Sequence, residues 1–349
     1  MSMSTPFIKQ IEFFRKERND SYFEVIYEQR KLKKQYIYER GVEDYDDIIL
    51  IKIGRGNLCG IGECSPLPSF FGWTVEMVLS DLKNLADDIL LEKNINHLES
   101  SISSAAYSGI TMALLDLQCH QRKLSISDMY QLPLFKNIII SHTVEYDVLG
   151  EISHRLSEMT HLPLLKVKLG SDGLDEERLK LVRYYAPNAK IIIDVNEGWT
   201  FSYLKSVMPL LLDFNVEMIE QPLKRGEDYY LMDYKSPIPI YADESLMKIS
   251  DLEKLSTCYS GFNIKLDKIG GFANALNAIN HCRHKGKNIM VGCLGGTSLL
   301  STAGFVVAQF ADFVDLDNHL WLCQDQEPAL GGENGMINVP QNWLWGSPI

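Results

Sequence analysis

The chain has 349 residues, 46% of them hydrophobic and 23% charged, with a formal net charge of −12, which predicts a globular protein of one large or two ordinary domains. The negative balance and the lack of a basic stripe argue against a nucleic-acid partner. The absence of any run of about 18 apolar residues argues against a membrane span, and the N-terminus has no signal-peptide core. Seven cysteines, an odd number without a CxxC pair, speak against a disulfide framework or a zinc site and fit a reducing cytoplasm.

Residues 7–12, 22–29 and 46–54 are rich in β-formers and read as antiparallel strands. The basic cluster Arg30, Lys31, Lys33 and Lys34 reads as a solvated loop, and GIGECSPLPSFFGW (60–73) as a Gly- and Pro-rich loop. Helical periodicity covers 75–92 and 101–122, where Ile102, Ala105, Ala106, Ile110, Ala113, Leu114 and Leu117 recur at three- and four-residue steps. Residues 1–136 therefore read as an α+β module. From 137 a regular pattern begins. Eight short apolar runs (NIIISHT, LLKVKLG, KIIIDVNEG, VEMIEQPL, IYADES, GFNIKL, IMVGCLGG and DFVDLDN) alternate with amphipathic stretches. Their ends, at Thr143, Lys168, Asp194, Glu220, Asp243, Lys265, Cys293 and Asp317, recur every 22 to 28 residues. Parallel βα units have this period, and eight of them close a TIM-type (β/α)8 barrel. The barrel is expected over 137–319, with 320–349 returning to complete the N-terminal module. An open doubly wound sheet is the alternative, but no GxGxxG turn supports it.

In such a barrel the reactive groups lie at the C-terminal strand ends. Asp194, Glu220 and Asp243 end three consecutive strands, about 4.8 Å apart. Three converging carboxylates repel one another unless a hard cation joins them, and all-oxygen ligation with open positions suits Mg²⁺. Lys166 and Lys168 share one face of their strand, and Lys265 lies beyond the acid triplet, so lysines flank the metal on both sides. A lysine works as a base near neutral pH only if its pKa falls, and a nearby cation and a second ammonium both lower it. This constellation predicts removal of a proton next to a substrate carboxylate, charge stabilisation by the metal, and proton return from the opposite face.

The series LLKVKLG, IIIDVNEGW, MIEQPL, YADESL and GFNIKLDKIGG, with the GIGECSPLP loop and the YSGITMALLDL helix, resembles the muconate-lactonizing-enzyme subgroup of the enolase superfamily over nearly the whole chain. The resemblance implies a modified barrel with an N-terminal α+β capping domain, Mg²⁺ on Asp194, Glu220 and Asp243, and Lys168 and Lys265 as acid/base residues acting through an enediolate. It also implies Lys166 as an aid to Lys168 and a substrate-carboxylate contact, with Asn196 and Glu244 behind the ligands. Lys268, in the turn after its strand, is not expected to be catalytic. MVGCLGGTSL and FVDLDNHLWL are similar to dipeptide epimerases, which implies a cytoplasmic isomerase. It further implies an ammonium site at Asp315 and, nearer the strand end, Asp317, and substrate contacts from Thr143, Cys293, Gly295 and Thr297. The loop KKQYIYERGVEDYDD, including Arg40, matches poorly, which leaves the second dipeptide residue open. o-Succinylbenzoate synthase, N-acylamino-acid racemase and an inactive barrel scaffold are the alternatives. A homo-oligomer is compatible with this reading, although no interface pattern is legible.

Overall fold

The computed structural model describes residues 7–38, 41–66, 68 and 72–347; Arg40 lies outside them. Its N-terminal part is a four-stranded antiparallel sheet in the order β1 (Ile8–Arg18), β2 (Ser21–Tyr38), β3 (Gly41–Arg55) and β4 (Leu58–Cys64). Helices α1 (Val75–Asn84) and α2 (Ser104–Arg122) cover one face. Two expectations change here. The Gly-rich stretch begins as a strand, because Gly60 and Gly62 let the β4 backbone lie directly on α2. A Cβ at either would come within 2.2 Å of the Ala113 or Gly109 carbonyl. The basic cluster belongs to β2 rather than to a loop. Arg30 is 3% exposed and pairs with Glu28 at 3.0 Å, and Lys33 donates to the Leu320 carbonyl.

The remainder is a parallel barrel. After a two-residue strand β5 (Ile138–Ile139) come β6 (His142–Val144), β7 (Leu164–Lys168), β8 (Lys190–Asp194), β9 (Val216–Glu220), β10 (Ile240–Ala242), β11 (Gly261–Lys265), β12 (Asn288–Gly292) and β13 (Phe313–Asp315). They form one eight-stranded sheet in sequence order, and the Ser141 N–H closes the circuit on the Val314 carbonyl at 2.7 Å. Four strands are followed by long helices on the outside: α3 (Leu149–Glu158) after β6, α4 (Asp175–Tyr185) after β7, α5 (Phe201–Asp213) after β8, and α7 (Ser298–Ala308) after β12. Between β11 and β12 lie a short turn of helix and α6 (Phe272–His284). β9 and β13 lead only into 3-10 turns, and β10 into a five-residue helix, so the (β/α) repeat is uneven. β14 (Met336–Ile337) pairs with β5. The tail beyond it buries Trp345, whose indole N–H reaches the Met112 carbonyl on α2.

Alternation along the strands sorts the side chains. Leu165, Val167, Ile191, Ile193, Phe262, Ile264, Ile289 and Val291 face outward into the helix layer. Leu164, Ile192, Met218, Tyr241 and Met290 fill the barrel interior as one apolar layer. On β11 this position is Gly261, which leaves room for the Tyr241 ring. Two residues further along each strand, on the same interior face, stand Lys166, Asp194, Glu220, Asp243 and Asp315.

Candidate active site

The apolar layer forces the next interior layer to be polar and dry at once. Lys166, Lys168, Asp194, Glu220, Asp243, Lys265 and Lys268 are each no more than 7% exposed, and buried charges of this kind must be paired. The Lys166 ammonium sits where the carboxylates converge, 3.0 Å from Asp194, 2.8 Å from Glu220 and 2.7 Å from Asp315. Lys168 donates to Asp194 and to Asn196 Oδ1 at 2.7 and 2.8 Å. Lys265 reaches Asp243 Oδ2 at 2.8 Å. β7 and β11 are four strands apart in a ring of eight, so Lys168 and Lys265 rise from opposite walls.

The two oxygens of each triplet carboxylate are used differently. Asp194 Oδ1 accepts the Asn196 N–H, Glu220 Oε1 accepts from Asn263 at 2.6 Å, and Asp243 Oδ1 accepts from Lys268 at 2.6 Å. The second oxygens, Asp194 Oδ2, Glu220 Oε2 and Asp243 Oδ2, meet the ammoniums of Lys166, Lys168 and Lys265, which face the cavity side. Glu220 Oε2 has no hydrogen bond of good geometry despite its ion pair with Lys166. Among the described residues no three acidic, His or Cys side chains close as a cage. The donors still suit a hard divalent ion: each carboxylate is pinned through one oxygen and offers the other to the interior. The buried carboxyl groups of Asp194, Glu220, Asp243, Glu244, Asp315 and Asp317 also outnumber the lysines Lys166, Lys168, Lys265 and Lys268, six to four.

The titration directions follow from this crowding. Burial raises the carboxyls, but Lys166 and Lys168 draw Asp194 well below the usual range, and Lys265 and Lys268 do the same for Asp243. Glu220, surrounded by Asp194 and Asp243, is pushed up to about 7 by burial and their charges. Glu244 is pushed to about 8 in the same way. Lys166 and Lys265 are buried, yet their carboxylate neighbours hold them charged, above the ordinary lysine value.

Asp315 and Asp317 separate in role. Asp315 is committed to Lys166 and to the Ser141 hydroxyl. Asp317 accepts the Thr143 N–H at 2.9 Å and has no ion pair among the described residues. Thr143 and Cys293 line the cavity with both aspartates. Gly295 and Thr297 do not line it. A Cβ at Gly295 would lie 2.3 Å from Asp46, and Thr297 caps α7 while its N–H and hydroxyl both bind Glu63 at 2.5 Å. Thr297 is thus clamped to β4. Asn196 reaches Glu244 at 3.1 Å, and its φ of 45° marks the sharp turn after β8.

Several residues of the site were not legible. Leu32 and Tyr36 of β2 and Trp321 close the cavity, with Tyr36 edge-on to Trp321 at 5.2 Å between ring centres. Asp46 joins them from β3, accepting from Gly296 N–H and Asn318. Asn263 had a signal, since it lies two residues before Lys265 on the same face. The cap residues had none, because only tertiary docking brings them over the barrel.

An eight-stranded parallel barrel with charged strand ends, roofed by an antiparallel capping sheet, defines a barrel enzyme of the enolase type. The chain belongs to the enolase C-terminal domain-like family, whose model matches residues 153–343. It is 31% identical to the L-Ala-D/L-Glu epimerase of Escherichia coli, over 88% of this chain and 96% of that one. It is 34% identical to an N-acetyl-D-glutamate racemase of Pseudoalteromonas, over 70% and 77%. The dipeptide epimerase of Cytophaga hutchinsonii, solved with Mg and D-Ala-L-Val, superimposes with a TM-score of 0.86 at 26% identity, covering 93% of this chain and 94% of that one. These relatives are epimerases and racemases, that is, isomerases. No helix among the described residues is long and apolar enough to cross a membrane.

Proposed function

We propose that this chain epimerises dipeptides at the α-carbon of the second residue, with Lys168 and Lys265 exchanging the proton and Asp194, Glu220 and Asp243 holding Mg²⁺. The observation that carries the reading is the pair of lysines on opposite walls around a pinned carboxylate triplet, beside an aspartate with a free valence for an ammonium. A bound divalent cation would neutralise the triplet and polarise the substrate carboxylate, lowering the cost of charge that develops as the proton leaves. The chain's own groups do the rest. Lys166 offers a fixed ammonium for the growing negative charge of the enediolate. The lysine that takes the proton must first part from its carboxylate, Asp194 or Asp243, and release its own ammonium proton to solvent, so that its nitrogen carries a lone pair. The other, facing the opposite side of the α-carbon, delivers a proton there and inverts the centre. Tyr36 and Trp321 exclude water above. Asp317 anchors the free amine through a charge-assisted hydrogen bond.

Racemisation of an N-acyl amino acid is the second reading, and the Pseudoalteromonas relative favours it; such a substrate has no ammonium and no use for Asp317. The seven cysteines are all free, which supports work in a reducing cytoplasm. Incubation with Mg²⁺ and a panel of L-Ala-L-Xaa dipeptides in deuterated water tests the proposal. α-Deuterium and the L,D diastereomer should appear at the second residue, and folded Lys168→Ala and Lys265→Ala variants should lose both. No uptake across the panel, or full activity in both variants, would refute it.

A further inference from the structure

The cavity above the lysines has a neighbour. A second cavity of about 190 Å³ adjoins it, and Thr143, Asp317 and Trp321 line both. One water needs roughly 10–15 Å³ on this measure, so the space takes a group of several carbons. Met159, Leu320 and Trp321 give it apolar walls. Arg155 and the fully buried Glu145 line it as an ion pair, and Arg155 also meets Asp147. His142 also lines the cavity and is 9% exposed, and neither ring nitrogen makes a hydrogen bond of good geometry. Lys33, Lys34 and Glu158 reach only its solvent side, where they are exposed.

We infer that this cavity receives the side chain of the substrate's N-terminal residue and selects a bulky neutral one, of the leucine, methionine or phenylalanine class, over alanine. The inference rests on the proposed dipeptide reading. Asp317 lines both spaces. An ammonium held there places the first α-carbon, one bond away, at the mouth of the side cavity. An alanine methyl leaves most of that volume empty. A charged side chain would lose its hydration against Met159, Leu320 and Trp321, where, among the described residues, the buried Arg155 and Glu145 already face each other and Asp317 is taken by the substrate's ammonium. Burial lowers the His142 pKa and keeps the ring neutral, so it adds no charge for a substrate to answer.

The test is kcat/KM for dipeptides that share one second residue and begin with L-Leu, L-Met, L-Phe, L-Ala, L-Glu or L-Lys. The bulky neutral members should exceed L-Ala by about tenfold or more, the discrimination an apolar pocket gives per methylene. Best turnover of L-Ala, L-Glu or L-Lys overturns the inference and leaves epimerisation standing. No turnover of any member removes both. Met159→Trp, which narrows the cavity, should cut the Leu-to-Ala ratio of kcat/KM at least tenfold; an unchanged ratio in the folded variant also overturns it.

Discussion

At the scale of single residues, the site is built from charges that serve two masters. Lys268, not expected to be catalytic, has a fully buried ammonium that donates to Asp243 Oδ1, the Asp243 carbonyl and the Asn263 carbonyl. It holds the Asp243 side chain in place. Lys268→Met leaves Asp243 Oδ1 and two buried carbonyls without their donor while Lys265 still pairs with Oδ2, and about 1–3 kcal/mol of stability should be lost in urea unfolding; a loss below about 1 kcal/mol contradicts the role. Asp317 has the opposite character, with one backbone donor and room toward the cavity. Asp317→Asn should lower dipeptide kcat/KM roughly ten- to hundredfold, the worth of a hydrogen bond to a charged group. Mg²⁺ affinity, read by calorimetry, should stay within a factor of two. Equal damage to both would assign Asp317 to the metal centre.

At the scale of elements, two close approaches decide the architecture. Strand periodicity alone told which side of each barrel strand is polar, because a period of two cannot place Lys166 inside without also placing Lys168 and Leu164 there. The same rule failed for β4, whose glycines read as a loop. Gly60 and Gly62 carry no side chain to show a pattern, and what they express is contact with α2, which lies some fifty residues later in the chain. Gly62→Ala would press a methyl against the Gly109 carbonyl, 2.2 Å from its ideal position. It should destabilise the protein by about 1–3 kcal/mol through overpacking, measured by thermal or urea unfolding, whereas the same change at Gly150, which has nothing within 4 Å, should cost far less.

At the scale of the whole molecule, buried acids tie the cap to the barrel. Glu63 of β4 accepts the N–H and hydroxyl of Thr297 at the start of α7, and Asp267 accepts the Ser65 N–H. Burial, only partly offset by these donors, pushes Glu63 to about 8 and Asp267 to about 7. A carboxyl raised in the folded state keeps its proton while the unfolded chain releases it. Its contribution is therefore full below the unfolded value near 4.5 and declines as pH rises toward 8. Glu63→Gln removes one such group, so the variant's unfolding free energy should fall less between pH 5 and pH 8 than that of the parent. Identical slopes would mean that Glu63 is ionised throughout.

The chain sequence by itself determined the eight parallel strands, the polar layer at their ends, and the residues Lys166, Lys168, Asp194, Glu220, Asp243, Lys265 and Asp317. The strands and the charged groups of the first six ends follow from local periodicity and from the cost of burying charge, which a linear sequence records, whereas Asp317 entered through the resemblance to dipeptide epimerases. Only the tertiary structure decided that Asp315 belongs to Lys166, that Thr297 serves Glu63, that Tyr36 and Trp321 roof the cavity, and that a second cavity opens beside Asp317. Those partners lie far apart in the chain and meet only when the cap docks and the barrel closes, and the energy of such contacts depends on distance in space rather than on spacing in sequence.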